Sequence, residues 1–343
     1  MSTAQGGTSG RDSVDVVVVG GGAAGLSAAK ILARSRRSVL MVDGGEPRNA
    51  PANGVHNYLY AEGSSPRRLR ETGRAEALAY DVQVVDGAAT AATVLPQPEP
   101  GGPRFSVGLR TAEGATRTVQ ARRLVLATGL LDVLPDIEGL RKRWGRDVLH
   151  CPFCHGWEVR DQAVGVIGTN AMALHQVTLF RQLTEDLVYF QHTAPDPTGE
   201  QREQLAALGV EHVAGEVAAV QTSGDALSGV RMADGRVVGR RAVAVATGLE
   251  AREDLLADLG LATTELQLGG IVAGHYLPAD PSGLTATPGV WAAGNLAAPM
   301  AQVINAAAAG AAVGAAVHMD LIGEDTDVAV SAYRARTSAG AGR

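Results

Sequence analysis

Cys151 and Cys154 are the only cysteines in the chain of 343 residues. They stand three positions apart in HCPFCHGWE, with His155 directly after the second. A pair at this spacing can hold a metal, staple the fold or exchange electrons. Zinc would need two further ligands at suitable spacing, and His155 abuts Cys154, so a metal clamp is disfavoured. A structural disulfide across so short a loop stabilises little, because its effect on chain entropy grows with loop length. Redox chemistry remains, and a Cys-x-x-Cys set beside strand–helix–strand units favours it. In such chemistry one thiol exchanges with a substrate sulfur while the other resolves the bond or passes electrons on. His155 is either an exposed bystander on a glycine-rich turn or a proton carrier. A histidine titrating near neutral pH can lower a thiol's pKa and take its proton, and that reading is preferred beside a dithiol.

Two strand–turn–helix patterns flank this segment. The run Val14–Val19 reads as a buried parallel strand, Ala23–Arg34 as a helix, and SVLMVDGG as a second strand ending at Asp43. Between them GGGAAG fits G-x-G-x-x-G with Gly20, Gly22 and Gly25. The first glycine makes the tight turn, the second admits a pyrophosphate, and the third lets helix and strand pack closely. Asp43 falls where a carboxylate holds a ribose hydroxyl, so a dinucleotide site is expected here. Arg67–Tyr80 reads as a helix, and the stretches from Asp81 to Leu95 and from Pro103 to Gly129 read as strands and a hairpin turning at AEGA. The first half closes on ATG, Ala127–Gly129.

The second pattern starts at AVGVIGTNAMALHQVTLF and closes on another ATG, Ala246–Gly248. Its loop keeps Gly168 and ends in Ala173, but Asn170 occupies the middle position, where a side chain obstructs a pyrophosphate. The following YFQHTAPD offers neither a ribose-binding carboxylate nor an arginine cluster, and His192 is its only candidate. This unit is expected to have lost productive nicotinamide nucleotide binding; weak NADPH binding past a tolerated Asn170 is the alternative. A long Ala-rich helix is expected from about Gln302 to Leu321, with frayed residues after it.

Hydrophobic residues make up 45% and charged residues 19%, a balance that reads as soluble and globular. A net charge of −6 with scattered arginines argues against a nucleic-acid partner. No apolar run in the sequence is read as membrane-spanning. The start, MSTAQGGTSGRDS, lacks an apolar signal core and is expected to be a disordered leader of a cytoplasmic protein.

The order of these features resembles the low-molecular-weight thioredoxin reductases over about Val14–Leu321. It comprises GGGAAG, ATG, Cys-x-x-Cys, a second glycine turn, a second ATG and a C-terminal GVWAAGN. The resemblance implies an α/β fold of two Rossmann-like three-layer domains, with a pyridine-nucleotide-like domain inserted into an FAD domain. It divides the chain into a leader (1–12), an FAD domain (13–131 and 250–326), an inserted domain carrying the cysteines (132–249) and a tail (327–343). It also implies a homodimer.

By the same resemblance Gly20, Gly22, Gly25 and Asp43 hold the adenosine and pyrophosphate of FAD. Asn57, Thr128 and Gly129 contact the cofactor, as do Gly294 and Asn295, with Gln302 and Val303 at the flavin edge. Asn295 replaces the family's usual Asp, though its amide oxygen still accepts from a hydroxyl. His155 in place of Asp after the second cysteine, Asn170, and the missing arginines look like the flavin-dependent dithiol oxidases that close gliotoxin- and holomycin-type disulfides. That subfamily implies a small-molecule dithiol as substrate and O2 as electron acceptor; charge and hydropathy, as above, lead us to expect no nucleic acid and no membrane partner. An NADPH- or ferredoxin-driven thioredoxin-disulfide reductase and a non-enzymatic flavin redox sensor are the rival readings. Phe153 and Trp157 either shape the substrate pocket or pack in the core.

Overall fold

The computed structural model describes residues 12–96 and 98–341. The expected leader therefore lies outside the described residues up to Arg11, while Asp12 already accepts a hydrogen bond from Gln120 N–H at 2.8 Å.

The first parallel layer forms around β1 (Ser13–Val19). Its valines lie under α1 (Ala23–Arg34) and pair on one side with β2 (Val39–Asp43). β-Branched side chains favour this pleated, doubly covered position. After α2 (Pro66–Leu78), whose first turn Ser65 caps by accepting from Arg68 N–H, the chain enters β3 (Gln83–Val94). Residues 83–86 of β3 run parallel to β2, and its remainder folds back antiparallel to β4 (Phe105–Thr111). β4 pairs with β5 (Thr116–Leu126), which returns parallel to the free side of β1.

A short strand, β6 (Leu130–Val133), leads into the second unit. There α3 (Leu140–Arg143), β7 (Val148–Leu149) and α4 (Pro152–His155) precede β8 (Val164–Ile167) and α5 (Ala173–Phe180). β9 (Leu187–Phe190), α6 (Gly199–Ala207) and β10 (Glu211–Val213) follow. An antiparallel meander comes next, made of β11 (Val217–Ser223), β12 (Ala226–Met232) and β13 (Val237–Val238), and then β14 (Ala242–Val245). The parallel sheet runs β10-β9-β8-β14-β7. This is the second Rossmann-like layer, inserted between the two halves of the first.

The return path, β15 (Gly248–Ala251), pairs antiparallel with β6, so the boundaries expected at 131/132 and 249/250 both fall within paired strands. The hairpin of β16 (Thr264–Leu268) and β17 (Ile271–Tyr276) extends this sheet, and β18 (Val290–Ala292) adds to β5.

The C-terminal helix differs from expectation. α7 runs from Val303 to Ala341, far beyond Leu321, so the residues read as frayed are helical through Ala341. Its early turns pack on α1 so closely that a Cβ on Gly310 would sit 2.0 Å from the Ala24 carbonyl oxygen. Its middle is tied to β5 by charge: Arg122 and Arg123 meet Asp320, Glu324 and Asp325. No Gly or Pro breaker follows Leu321 strongly enough to end it, since Gly323 costs only about 1 kcal/mol in a helix interior. α7 also corrects the expectation about apolar runs: by length and composition it could cross a membrane, with a mean hydropathy of 1.4 over its most apolar window. Val313, Val317 and Leu321 join the core beneath it.

Candidate active site

The glycine loop takes the shape its spacing implies. Gly20 adopts φ +110°, and a Cβ there would lie 2.3 Å from the Ala127 carbonyl oxygen. A Cβ on Gly25 would reach within 1.8 Å of the Gly20 carbonyl oxygen, so the third glycine lets α1 seat against β1. Gly22 is the contrast, because a Cβ there would meet nothing within 4 Å. The chain has left a cradle at that position beside the start of α1. Asp43, buried at the end of β2, accepts from Gly45 N–H and from Arg70, each at 3.0 Å.

Gly20, Gly22 and Asp43 line one cavity of about 960 Å³ together with Thr128, Gly129, Gly294, Asn295, Gln302, Val303, Cys151, Cys154 and His155, whereas Gly25, seated against the Gly20 carbonyl, does not line it. The loop and the dithiol, more than a hundred residues apart in sequence, thus open into the same space. Two features of the wall ask for a polar ligand. Thr128 Oγ1 is buried without a hydrogen-bond partner among the described residues. Asn295 uses its amide N–H groups on the carbonyls of Ala298, Pro299 and Ala301 at 2.9–3.3 Å, and no chain donor meets its oxygen among the described residues. An aspartate could not donate these bonds, which gives Asn295 a structural reason of its own.

Asn57, expected to contact the cofactor, is not among the residues that line the cavity. Its backbone is left-handed, φ +60°, which Asn tolerates better than most residues. Its amide donates to the Phe153 carbonyl at 2.7 Å, so the side chain ties the first unit to the cysteine turn instead of lining the cavity.

The cysteines occupy the ends of a single helical turn. Cys151 is the N-cap of α4, Pro152 takes its first position, and both Cys154 N–H and His155 N–H donate to the Cys151 carbonyl at 3.2 Å. The two Cα atoms are 5.2 Å apart and the sulfurs form a disulfide. His155 Nε2 is buried with no hydrogen-bond partner among the described residues. Burial lowers the His155 pKa, the Glu158 carboxylate opposes this, and His56 adds to the lowering. The ring is therefore held toward its neutral, proton-accepting form. His150, on the other side of the pair, is likewise pushed down by burial. Phe153 and Trp157 are about two-thirds exposed, so neither is a core residue. Phe153 lines the cavity, while Trp157 stacks under the Arg160 guanidinium at 4.1 Å.

The second glycine loop is built differently. Asn170 Oδ1 accepts from Met172 N–H at 2.9 Å, occupying a donor at the start of α5 that a pyrophosphate would otherwise take. The tip of the β16–β17 hairpin covers the same place, since a Cβ on Gly269 would lie 2.4 Å from Met172 Sδ. His192 turns away from a ligand role, its Nδ1 accepting from Val217 N–H at 3.1 Å.

A family model for pyridine nucleotide-disulphide oxidoreductases matches residues 14–310. The chain belongs to this family.

Among relatives of this oxidoreductase, thioredoxin reductase TcpT of Claviceps purpurea is 29% identical, covering 91% of this chain and 95% of that protein. A probable thioredoxin reductase of Arthroderma benhamiae is 34% identical, but the match spans only 45% of its length. The crystal structure of HlmI superposes with a TM-score of 0.84 at 39% identity, covering 97% of this chain and 99% of that one. An oxidoreductase from Agrobacterium tumefaciens follows with a TM-score of 0.80 at 32% identity, over 90% of this chain and 99% of that one. The oxidoreductase is thus a thioredoxin reductase-like flavoenzyme with FAD as its cofactor. The open cradle at Gly22 and the unpartnered Thr128 hydroxyl fit that group.

Residues not singled out from the sequence also reach the site: His56, Glu62 and Glu158 around His155, and Arg70 on Asp43. The signal for His56 was its place beside Asn57 in VHNY, but nothing along the chain indicates that it meets a segment nearly a hundred residues later.

Proposed function

We propose that the protein oxidises a small-molecule dithiol to its disulfide, with dioxygen as the final acceptor and hydrogen peroxide as product. One observation carries this reading. The dithiol opens into the cofactor cavity, whereas the second glycine loop is capped by its own Asn170 and covered by a hairpin. Electrons then have a route in from a thiol substrate and no built site for a nicotinamide donor. The motif resemblance to dithiol oxidases supports the same direction.

A substrate thiolate attacks Cys151, forming a mixed disulfide and releasing Cys154 as thiolate. The second substrate thiolate attacks the substrate sulfur of that mixed disulfide, closing the product disulfide and freeing Cys151. His155 accepts the proton from the entering thiol at its unpartnered, buried Nε2. Gly20, Gly22, Asp43, Thr128, Gly129, Gly294, Asn295, Gln302 and Val303 would hold FAD, with Gly25 seating the helix that starts at the cradle; bound FAD would supply a two-electron acceptor for the dithiol and a two-electron donor to dioxygen. Asn57 contributes by anchoring the cysteine turn through Phe153. The setting we propose is a homodimer, as the family resemblance implies, in the cytoplasm.

Oxygen uptake with dithiothreitol, with and without NADPH, tests the proposal. We expect uptake with stoichiometric peroxide and no dependence on NADPH. Rapid anaerobic bleaching of the yellow protein by NADPH alone would instead establish the disulfide reductase reading. Dithiol-dependent complex formation without oxygen uptake would establish a redox sensor.

A further inference from the structure

The loop opposite the cysteine turn is built to hold one imidazole. Val55 and Ser64 close it as an isolated antiparallel bridge, with Val55 N–H donating to the Ser64 carbonyl at 2.8 Å. Inside it Asn57 N–H donates to Glu62 Oε2 at 2.9 Å, and the Asn57 side chain reaches across to Phe153. These anchors leave His56 facing His155, ring centroids 6.3 Å apart and planes at 86°. His56 Nδ1 lies 2.6 Å from Glu62 Oε1, and its Nε2 lies 3.4 Å from Glu158 Oε1. The Glu62 carboxylate accepts from Nδ1, and Glu158 stands at ion-pair distance from Nε2.

We propose that His56 is a positioning residue for His155. Held beside Glu62 and Glu158, its ring fixes the His155 imidazole beside the dithiol and so sets how readily His155 takes up a proton. The inference rests on the dithiol oxidase reading, in which His155 accepts the proton of the entering thiol. The titratable groups facing His155 are Glu158 from its own segment and His56 from the loop, with Glu62 behind His56. α5, which contacts the short helix of the cysteine turn, brings only the exposed His175. His56 opposes a positive charge on His155 and Glu158 favours it, so the two neighbours act in opposite senses.

The test is an NMR titration of the ring-labelled holoenzyme, with the His155 resonance assigned by its loss in His155→Ala. In His56→Gln the His155 midpoint rises, because His56 opposes a positive charge on His155. In Glu158→Gln, which keeps the Val55–Ser64 and Asn57–Phe153 anchors, it falls. The acid limb of kcat/KM for dithiothreitol oxidation moves with each midpoint. An unmoved His155 midpoint in both variants overturns the inference. Because the titration needs no turnover, that outcome is distinct from failure of wild-type protein to consume oxygen with a dithiol, which would sink the functional reading instead.

Discussion

Gly22 and Gly25 sit three residues apart in one loop, yet the structure assigns them opposite sensitivities to the same added methyl group. In Gly25→Ala the new Cβ would stand 1.8 Å from the Gly20 carbonyl oxygen, well inside any carbon–oxygen contact distance. Relief requires α1 to move off β1 by more than an ångström, opening the packing of Leu26, Ala28, Ala29 and Leu32, all 7% exposed or less. Overpacking of this kind costs about 3 kcal/mol, at the upper end of its usual range. In Gly22→Ala the Cβ meets no atom of the chain within 4 Å. The backbone there, φ −77° and ψ −174°, is open to alanine. Loss of unfolded-state entropy stabilises by about 0.5 kcal/mol, and alanine is poorer than glycine as an N-cap by a similar amount, so the two nearly cancel. The methyl does fill the cradle meant for a pyrophosphate. Losing one hydrogen bond to a charged group costs about 1.5–3 kcal/mol, or roughly a ten- to hundredfold weaker FAD affinity. Thermal unfolding of the two apoproteins and FAD titration by flavin fluorescence separate the effects. Wild-type FAD affinity in Gly22→Ala would refute the placement of the pyrophosphate, and wild-type stability in Gly25→Ala would refute the packing.

Four further outcomes follow from the same geometry. Cys154→Ser should abolish dithiol turnover, measured as oxygen uptake, because no partner remains to re-form the cysteine disulfide. His155→Ala should slow oxidation and move the pH optimum upward, since the entering thiol must then ionise unaided; in the wild type the lowered His155 pKa keeps activity up until pH falls below the ordinary histidine range. Asn170→Gly should not by itself confer NADPH-driven bleaching, because Met172 remains under the hairpin tip at Gly269. Acid should loosen α7 first. Burial pushes the Glu324 carboxyl up, but Arg122, Arg123 and Arg104 more than offset it, and its pKa ends below the usual value. That contribution is complete above the ordinary carboxylate range and is lost as pH falls through the lower folded value. Glu324→Gln should reduce the loss between about pH 5 and pH 3, followed by amide exchange in the helix.

Much of the first unit is legible along the chain because its determinants are local. A β-branched run, three glycines at fixed spacing and an acid one strand later each state a backbone requirement within some thirty residues, and β1, α1 and β2 lie where those residues indicate. α6 had an equally local signal: Thr198 and Gln201 form a capping box at its start, a pattern visible in TGEQ. The length of α7 was less visible. Its continuation past Leu321 draws on ion pairs with Arg122 and Arg123, which stand about two hundred residues earlier.

Residue types and short spacings by themselves determined that this is a redox dithiol beside one intact and one altered glycine loop. They state what a few neighbouring atoms can do. Only the tertiary structure decided that the dithiol and the intact loop share a cavity and that Asn57 braces the cysteine turn instead of lining that cavity. It also decided that Asn170 accepts from Met172 N–H just before its own helix and that His56, beside two glutamates, faces His155. Each of these depends on segments brought together by packing of the two units, a relation that no periodicity along the chain encodes.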